Sequence, residues 1–260
     1  MNKLPLFLLF IFLLFSKINK TFAEDNIPTS SQEGKITIGA NSDTITINSG
    51  IILGSLSTQN RADINEKNDV LVIVNSGGSI LSLHNAVQGD DSDDLTVTNS
   101  GTIRAAGSKA INLKDTADSI ITNNLGGVIR SGAGDTISGE AATGGTITNS
   151  GTIYSDDQRA INLFSTSTTT TVTNNSSGHI YNSNTNEAIK LDGSSTLTNS
   201  GKIENKNSPT NNSIRLVGND NTIILKDKSI LIGTIDAGST TGNTLKFQHG
   251  MGQGYYYKTS

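Results

Sequence analysis

Apolar and polar positions alternate along most of this chain in short runs, and the same runs return in the same order. The first run reads Thr96-Val97-Thr98, then Thr146-Ile147-Thr148, then Thr196-Leu197-Thr198. A second apolar position follows a glycine, as at Ile103, Ile129, Ile153, Ile180 and Ile203. A third run closes each unit: "AINL" from Ala110 and again from Ala160, "AIKL" from Ala188 and "SIRL" from Ser213. A period of two puts alternate side chains on one buried face, which predicts strands; the runs are too short for amphipathic helices. Gly, Asn and Asp stand between them, as turns require.

Aligned on the Asn of "TNS" or "TNN", the units place Asn75, Asn99, Asn123, Asn149, Asn174 and Asn199 at one phase, 24 to 26 residues apart. Asn48 precedes this series, and Asp227 is expected at the same phase after it. Three strands and three turns in about 25 residues fit a rung of a right-handed parallel β-helix, an all-β solenoid of about seven or eight rungs. In such a stack equivalent residues lie about 4.8 Å apart, so the six asparagines are expected to form an amide ladder. The glycines after them, Gly101, Gly151, Gly178 and Gly201, are expected to supply positive φ. A lone rung cannot offset the ordering of its own backbone, so the core must be shared between neighbours.

The N-terminus has another character. "MNK" leads into "LPLFLLFIFLLF" (Leu4 to Phe15), and small residues precede Glu24. This predicts a secretory signal peptide over 1–23; the apolar run is too short to span a membrane. The expected organisation is then a polar cap or linker over 24–45, a repeat domain over 46–250 and an unfinished segment over 251–260. The whole chain has no Cys, so an exported fold must rely on its core rather than disulfides. With 23 acidic and 19 basic residues, net −4, nucleic acid is not an expected partner.

Repeats of the type "TNSGTI…AINL" behind a signal peptide resemble the passenger regions of bacterial autotransporters. "IDAGSTTGNTLKFQHG" (Ile235 to Gly250) is similar to the late-passenger pattern of that family. The resemblance covers roughly 35–250. It implies a Gram-negative cell-surface or released protein, often adhesive, that crosses the outer membrane unfolded through a translocator. No run of amphipathic strands corresponding to that translocating barrel is found in this sequence, so the resemblance places the translocator outside it. The residues name no ligand or host surface.

The loops hold the residues that could carry chemistry. Asp91 and Asp115 share one phase, Asp94 and Asp118 another, with Asp90 and Asp93 beside them. Three readings stand: a solvated acidic loop, a weak Ca²⁺ site, or a catalytic carboxylate pair of a polysaccharide lyase or hydrolase. Arg215, a basic residue at those phases, is four rungs away, which disfavours catalysis. His84, His179 and His249 occupy unrelated phases and form no metal constellation. No cofactor is expected. Arg104, Arg130, Tyr154, Tyr181 and Glu204 follow the second-strand Ile, so they are expected to point outward as a mixed stripe able to meet a ligand. The expected function is therefore a structural stalk or adhesin without catalysis, with a secreted polysaccharide-active enzyme as the alternative.

Overall fold

In Thr146–Asn149 the side chains of Ile147 and Asn149 are buried while Thr146 and Thr148 are partly exposed. Thr152–Ser155 repeats that alternation with Ile153 and Ser155 buried, and Ile161–Phe164 completes the turn. The computed structural model describes residues 25–31, 36–57, 62–63, 67–164, 166–248 and 250. The expected signal peptide over 1–23, His249 and the segment 251–260 lie outside the described residues.

Each strand pairs in parallel with its counterparts one turn before and one turn after. Ile121 aligns with Val97 below and Ile147 above, and Ile129 aligns with Ile103 and Ile153. Among the described residues the result is three parallel sheets of ten, eight and nine strands wound into a solenoid of about eight turns, with no helix. Sheet A contains the strands that end at the ladder asparagines, such as Thr96–Asn99; sheet B contains those like Thr102–Ala105; sheet C contains those like Ile111–Asn112. The solenoid already includes parts of the 24–45 segment. Asp25–Asn26 pairs with Thr44–Ile45 in sheet A, and Ile36–Thr37 pairs with Ala62–Asp63 in sheet C.

The interior is one continuous stack of Ile, Leu, Val and Ala running from Ile38 to Leu225. β-Branched side chains suit it, because identical residues one rung apart nest on a pleated surface. The interior is not wholly apolar where the chain turns from sheet B towards sheet C. Ser82, Ser131, Ser155, Asn182 and Asn205 point inward there and are buried. Their side chains bind backbone of the same and the adjoining turn: Ser155 Oγ donates to Gly134 O in the rung below (2.8 Å) and accepts from Gln158 N (2.8 Å). Asn205 Nδ2 donates to Asn212 O (2.9 Å). Buried backbone groups need such partners.

The glycines after the ladder asparagines serve a different purpose from the expected one. Gly101, Gly151, Gly178 and Gly201 are not among the residues with positive φ. A Cβ on Gly151 would instead strike the carbonyl oxygens of Gly127 and Asn124 in the rung below, and one on Gly201 those of Asn175 and Gly178. The constraint is close approach between stacked turns. Positive φ is carried by another column. Ser42, Asp69, Asp94, Asp118, Gly144, Thr169, Ser194, Asp220 and Gly242, each two residues before a sheet A strand, all lie in the left-handed region.

Candidate functional site

The amide ladder is built from five residues. Asn99 Nδ2 donates to Asn123 Oδ1 (2.8 Å), Asn123 to Asn149 (2.8 Å), Asn149 to Asn174 (2.9 Å) and Asn174 to Asn199 (2.8 Å). All five are almost wholly buried. The same amides also reach backbone carbonyls of the adjoining turn, as Asn123 Nδ2 does to Gly127 O (3.2 Å). Asn75 does not belong to this ladder. The residue aligned with Asn99 is Val74, and Asn75 stands one place further on, exposed, donating to Asn48 Oδ1 (2.9 Å). Asn48 and Asn75 thus belong to a second, outer column, in which Asn124 donates to Ser100 Oγ and Asn175 to Ser150 Oγ (both 2.9 Å). At the other end Leu225, not Asp227, aligns with Asn199.

The acidic candidates do stack in neighbouring turns. The N–H of Asp91 donates to Lys114 O and that of Asp94 to Ala117 O, which sets Asp91 under Asp115 and Asp94 under Asp118. All four side chains are exposed, and all four backbones are left-handed, with φ between 50° and 55°. Asp tolerates that conformation better than most residues with a side chain, so the turn explains its presence here. Among the described residues no group of three or more His, Asp or Glu is arranged to hold a metal ion.

Acids and bases do converge on one face, but on sheet C and through other residues. Two positions before four successive sheet C strands lie Lys109, Asp135, Arg159 and Glu187, so charge alternates over these rungs. Arg159 Nε donates to Glu187 Oε1 (2.6 Å), and its other end lies 3.7 Å from Asp135 Oδ1. Asp135 Oδ2 accepts from Asn162 Nδ2 (2.6 Å). One step below, Lys109 Nζ donates to Asn112 Oδ1 (3.0 Å), and Asp90 accepts from Gln88 and Asn112. Burial raises the Asp90 carboxyl above its usual range, with Lys109 partly offsetting this. Burial lowers the Lys190 ammonium, and Arg159 adds repulsion. The Glu187 side chain is only 5% exposed, covered too well to meet a polymer. The sequence pattern hides this cluster because the turn from sheet A to sheet B alternates between two and four residues, so counting from the asparagines gives these residues different offsets.

The outward stripe on sheet B is present in the expected order. Arg104 aligns with Arg130, Arg130 with Tyr154, Tyr154 with Tyr181, and Tyr181 with Glu204. The two tyrosine rings stack at 4.6 Å and 12°. Arg130 lies over Tyr154 at 5.1 Å from the ring centre and donates from Nε to Asp156 Oδ2 (3.1 Å). Lys206 lies 3.3 Å from the centre of the Tyr181 ring. Ring faces are thus occupied by cations and by each other, leaving no flat aromatic platform for a sugar. Burial, reinforced by Tyr154 and Asp156, pushes the Tyr181 hydroxyl up to about 12. His179 Nε2 meets Glu204 Oε2 at 3.0 Å, and Lys202 Nζ meets the same oxygen at 2.7 Å. Burial lowers His179, more than Glu204 raises it.

No protein-family model matches the chain, and neither a curated protein nor a solved structure matches it.

Proposed function

We propose that this chain is an exported β-helical passenger that serves a Gram-negative cell as a surface stalk or adhesin. The observation that carries the reading is the parallel stacking of the three sheets, in register from rung to rung save for one shift between Asn212 and Ile214, which supports a rod held together at each rung by its own side chains. A rod of this kind extends a surface away from a cell and presents its outward columns without needing a pocket. The resemblance of the repeats to autotransporter passengers supports export through an outer-membrane translocator supplied from outside this sequence. A chain without Cys suits unfolded passage, since no disulfide has to form or open.

The convergence of Asp135, Arg159 and Glu187 favours the enzyme alternative, but these groups are satisfied by one another and Glu187 is covered. The adhesin reading therefore has the stronger physical support. The test is adhesion of beads coated with the purified chain to host and bacterial cells. Retention well above that of albumin-coated beads is expected; retention equal to albumin would remove the adhesin reading and leave a stalk.

A further inference from the structure

We infer that Arg104 on sheet B is an anion-binding residue for an acidic polysaccharide lying along the rod, an inference that rests on the adhesin reading. Two arginines occupy adjacent rungs of one column, Arg104 and Arg130. Arg130 is paired with Asp156, the residue just after the next sheet B strand. The position that Asp156 fills for Arg130 is filled for Arg104 by Gly132. The backbone shows the equivalence: Asp156 N donates to Ser131 O, and Gly132 N donates to Ala105 O. Glycine is enforced there, because a Cβ would strike the carbonyl of Ala106. Arg104 therefore lacks the acid that Arg130 has, and its neighbours in the column are Leu81 and Arg130 itself. The Nε of Arg104 is shielded from solvent and has no acceptor, and Arg104 makes no ion pair among the described residues.

Leu81 lies below Arg104 and the Arg130 guanidinium above, and no carboxylate stands among Thr102, Val128, Ala106 and Gly132 around it, so the local charge is positive. A carboxylate or sulfate brought by a ligand can take the place that Asp156 has beside Arg130, in the bidentate arrangement that guanidinium favours. Further along the same axis stand the edges of Tyr154 and Tyr181, then Glu204 with its charge met by Lys202, and Lys206, which rests on the Tyr181 ring, four rungs or about 19 Å from Arg104. A polymer with repeated anionic groups and hydroxyls spans that column. A peptide fits less well, since the backbone groups of this face are taken by neighbouring rungs and none remains for strand addition.

The test measures binding of the full chain to heparin, to polygalacturonate, to neutral dextran and to polyglutamate, with Arg104→Gln and, as a control, Arg215→Gln on sheet C. Binding to heparin or polygalacturonate is expected, weakened about tenfold by Arg104→Gln and unchanged by Arg215→Gln. Heparin alone would name sulfate as the group, and polygalacturonate alone carboxylate. An unaltered thermal midpoint in Arg104→Gln separates lost binding from lost folding. Equal loss in both variants, or no loss in Arg104→Gln, would overturn the site, as would binding to neither acidic polymer. Polyglutamate bound as well as the polysaccharides, through Arg104, would overturn the polysaccharide assignment. If the site fails while coated beads still adhere, the adhesin reading stands without it.

Discussion

Asn199 accepts the amide of Asn174 at 2.8 Å, and directly above it in the next rung stands Leu225. Its own Nδ2 is buried and finds no acceptor. The ladder thus has a satisfied middle and an unsatisfied end, and the two should respond differently to the same substitution. Asn149→Leu removes an acceptor from Asn123 and a donor from Asn174, and should cost about 2–4 kcal/mol. Asn199→Leu takes the acceptor from Asn174 Nδ2 and Gly201 N but also removes the orphan amide and places leucine beneath leucine, so its loss should be smaller by about 1 kcal/mol or more. Denaturant midpoints of the two variants decide this; equal losses would show that the amides do not act as a directional chain.

The positive-φ column gives a second prediction. Asp118 has φ 50° and an exposed side chain. Asp118→Gly should be nearly neutral, whereas Asp118→Val should cost about 1–2 kcal/mol, because a β-branched residue resists the left-handed region. Added Ca²⁺ should leave the wild-type thermal midpoint unmoved. A calcium-dependent rise abolished by Asp118→Asn would restore the ion-site reading of Asp91, Asp94, Asp115 and Asp118.

Much of this architecture was legible in the sequence, because the strands of sheets A and B carry apolar residues at a fixed phase. Two kinds of feature were not. Asn75 looks like Asn99 in a linear alignment, yet the rung it closes uses Val74 as its last inward residue, so the asparagine moves outside by one place. A one-residue slip of this kind reverses the face on which every side chain lies. The inward Ser131, Ser155 and Asn182 were visible as a small polar residue two places after the second-strand Ile. The period of two places them on the same inward face as that Ile, but a polar residue gives no apolar signal there, and only the stacked turns show the backbone partners that let it be buried.

The charge ladder of sheet C supplies a third test. Arg159 is 19% exposed and sits between Glu187 and Asp135. Arg159→Met leaves both carboxylates without their cation and should cost about 3–5 kcal/mol. Arg215 is half exposed and 3.9 Å from Asp236, so Arg215→Met should cost less than about 1 kcal/mol. Thermal midpoints that fall equally would contradict the difference in burial.

Two titrations on sheet B act in opposite directions. His179 is held below its ordinary value, so the folded state prefers the neutral ring. Its contribution is complete above the unfolded value near 6.5 and is lost as pH falls from there through the folded value. Asp156, Lys202, Glu204 and Lys206 are the charged groups nearby, and Glu204 is itself held low: burial alone would raise it, but Lys202 and His179 outweigh that. His179→Gln should therefore flatten the loss of stability between about pH 7 and 5. An unchanged slope in that variant would assign the loss to the carboxylates.

Tyr181 is raised, so its contribution is complete below the ordinary value of 10.0 and is lost as pH rises towards about 12. In an ultraviolet titration of the folded chain, one tyrosine should ionise late, and Tyr181→Phe should abolish that late phase. A late phase that persists in the variant would place the shifted hydroxyl elsewhere.

The most direct test of the central claim, that this rod binds and presents rather than cleaves, is a screen of the purified chain for new reducing ends on neutral and acidic polysaccharides. No release above the buffer blank is expected on any substrate. Release that disappears in Asp135→Asn or Glu187→Gln would contradict the account and make sheet C an active site.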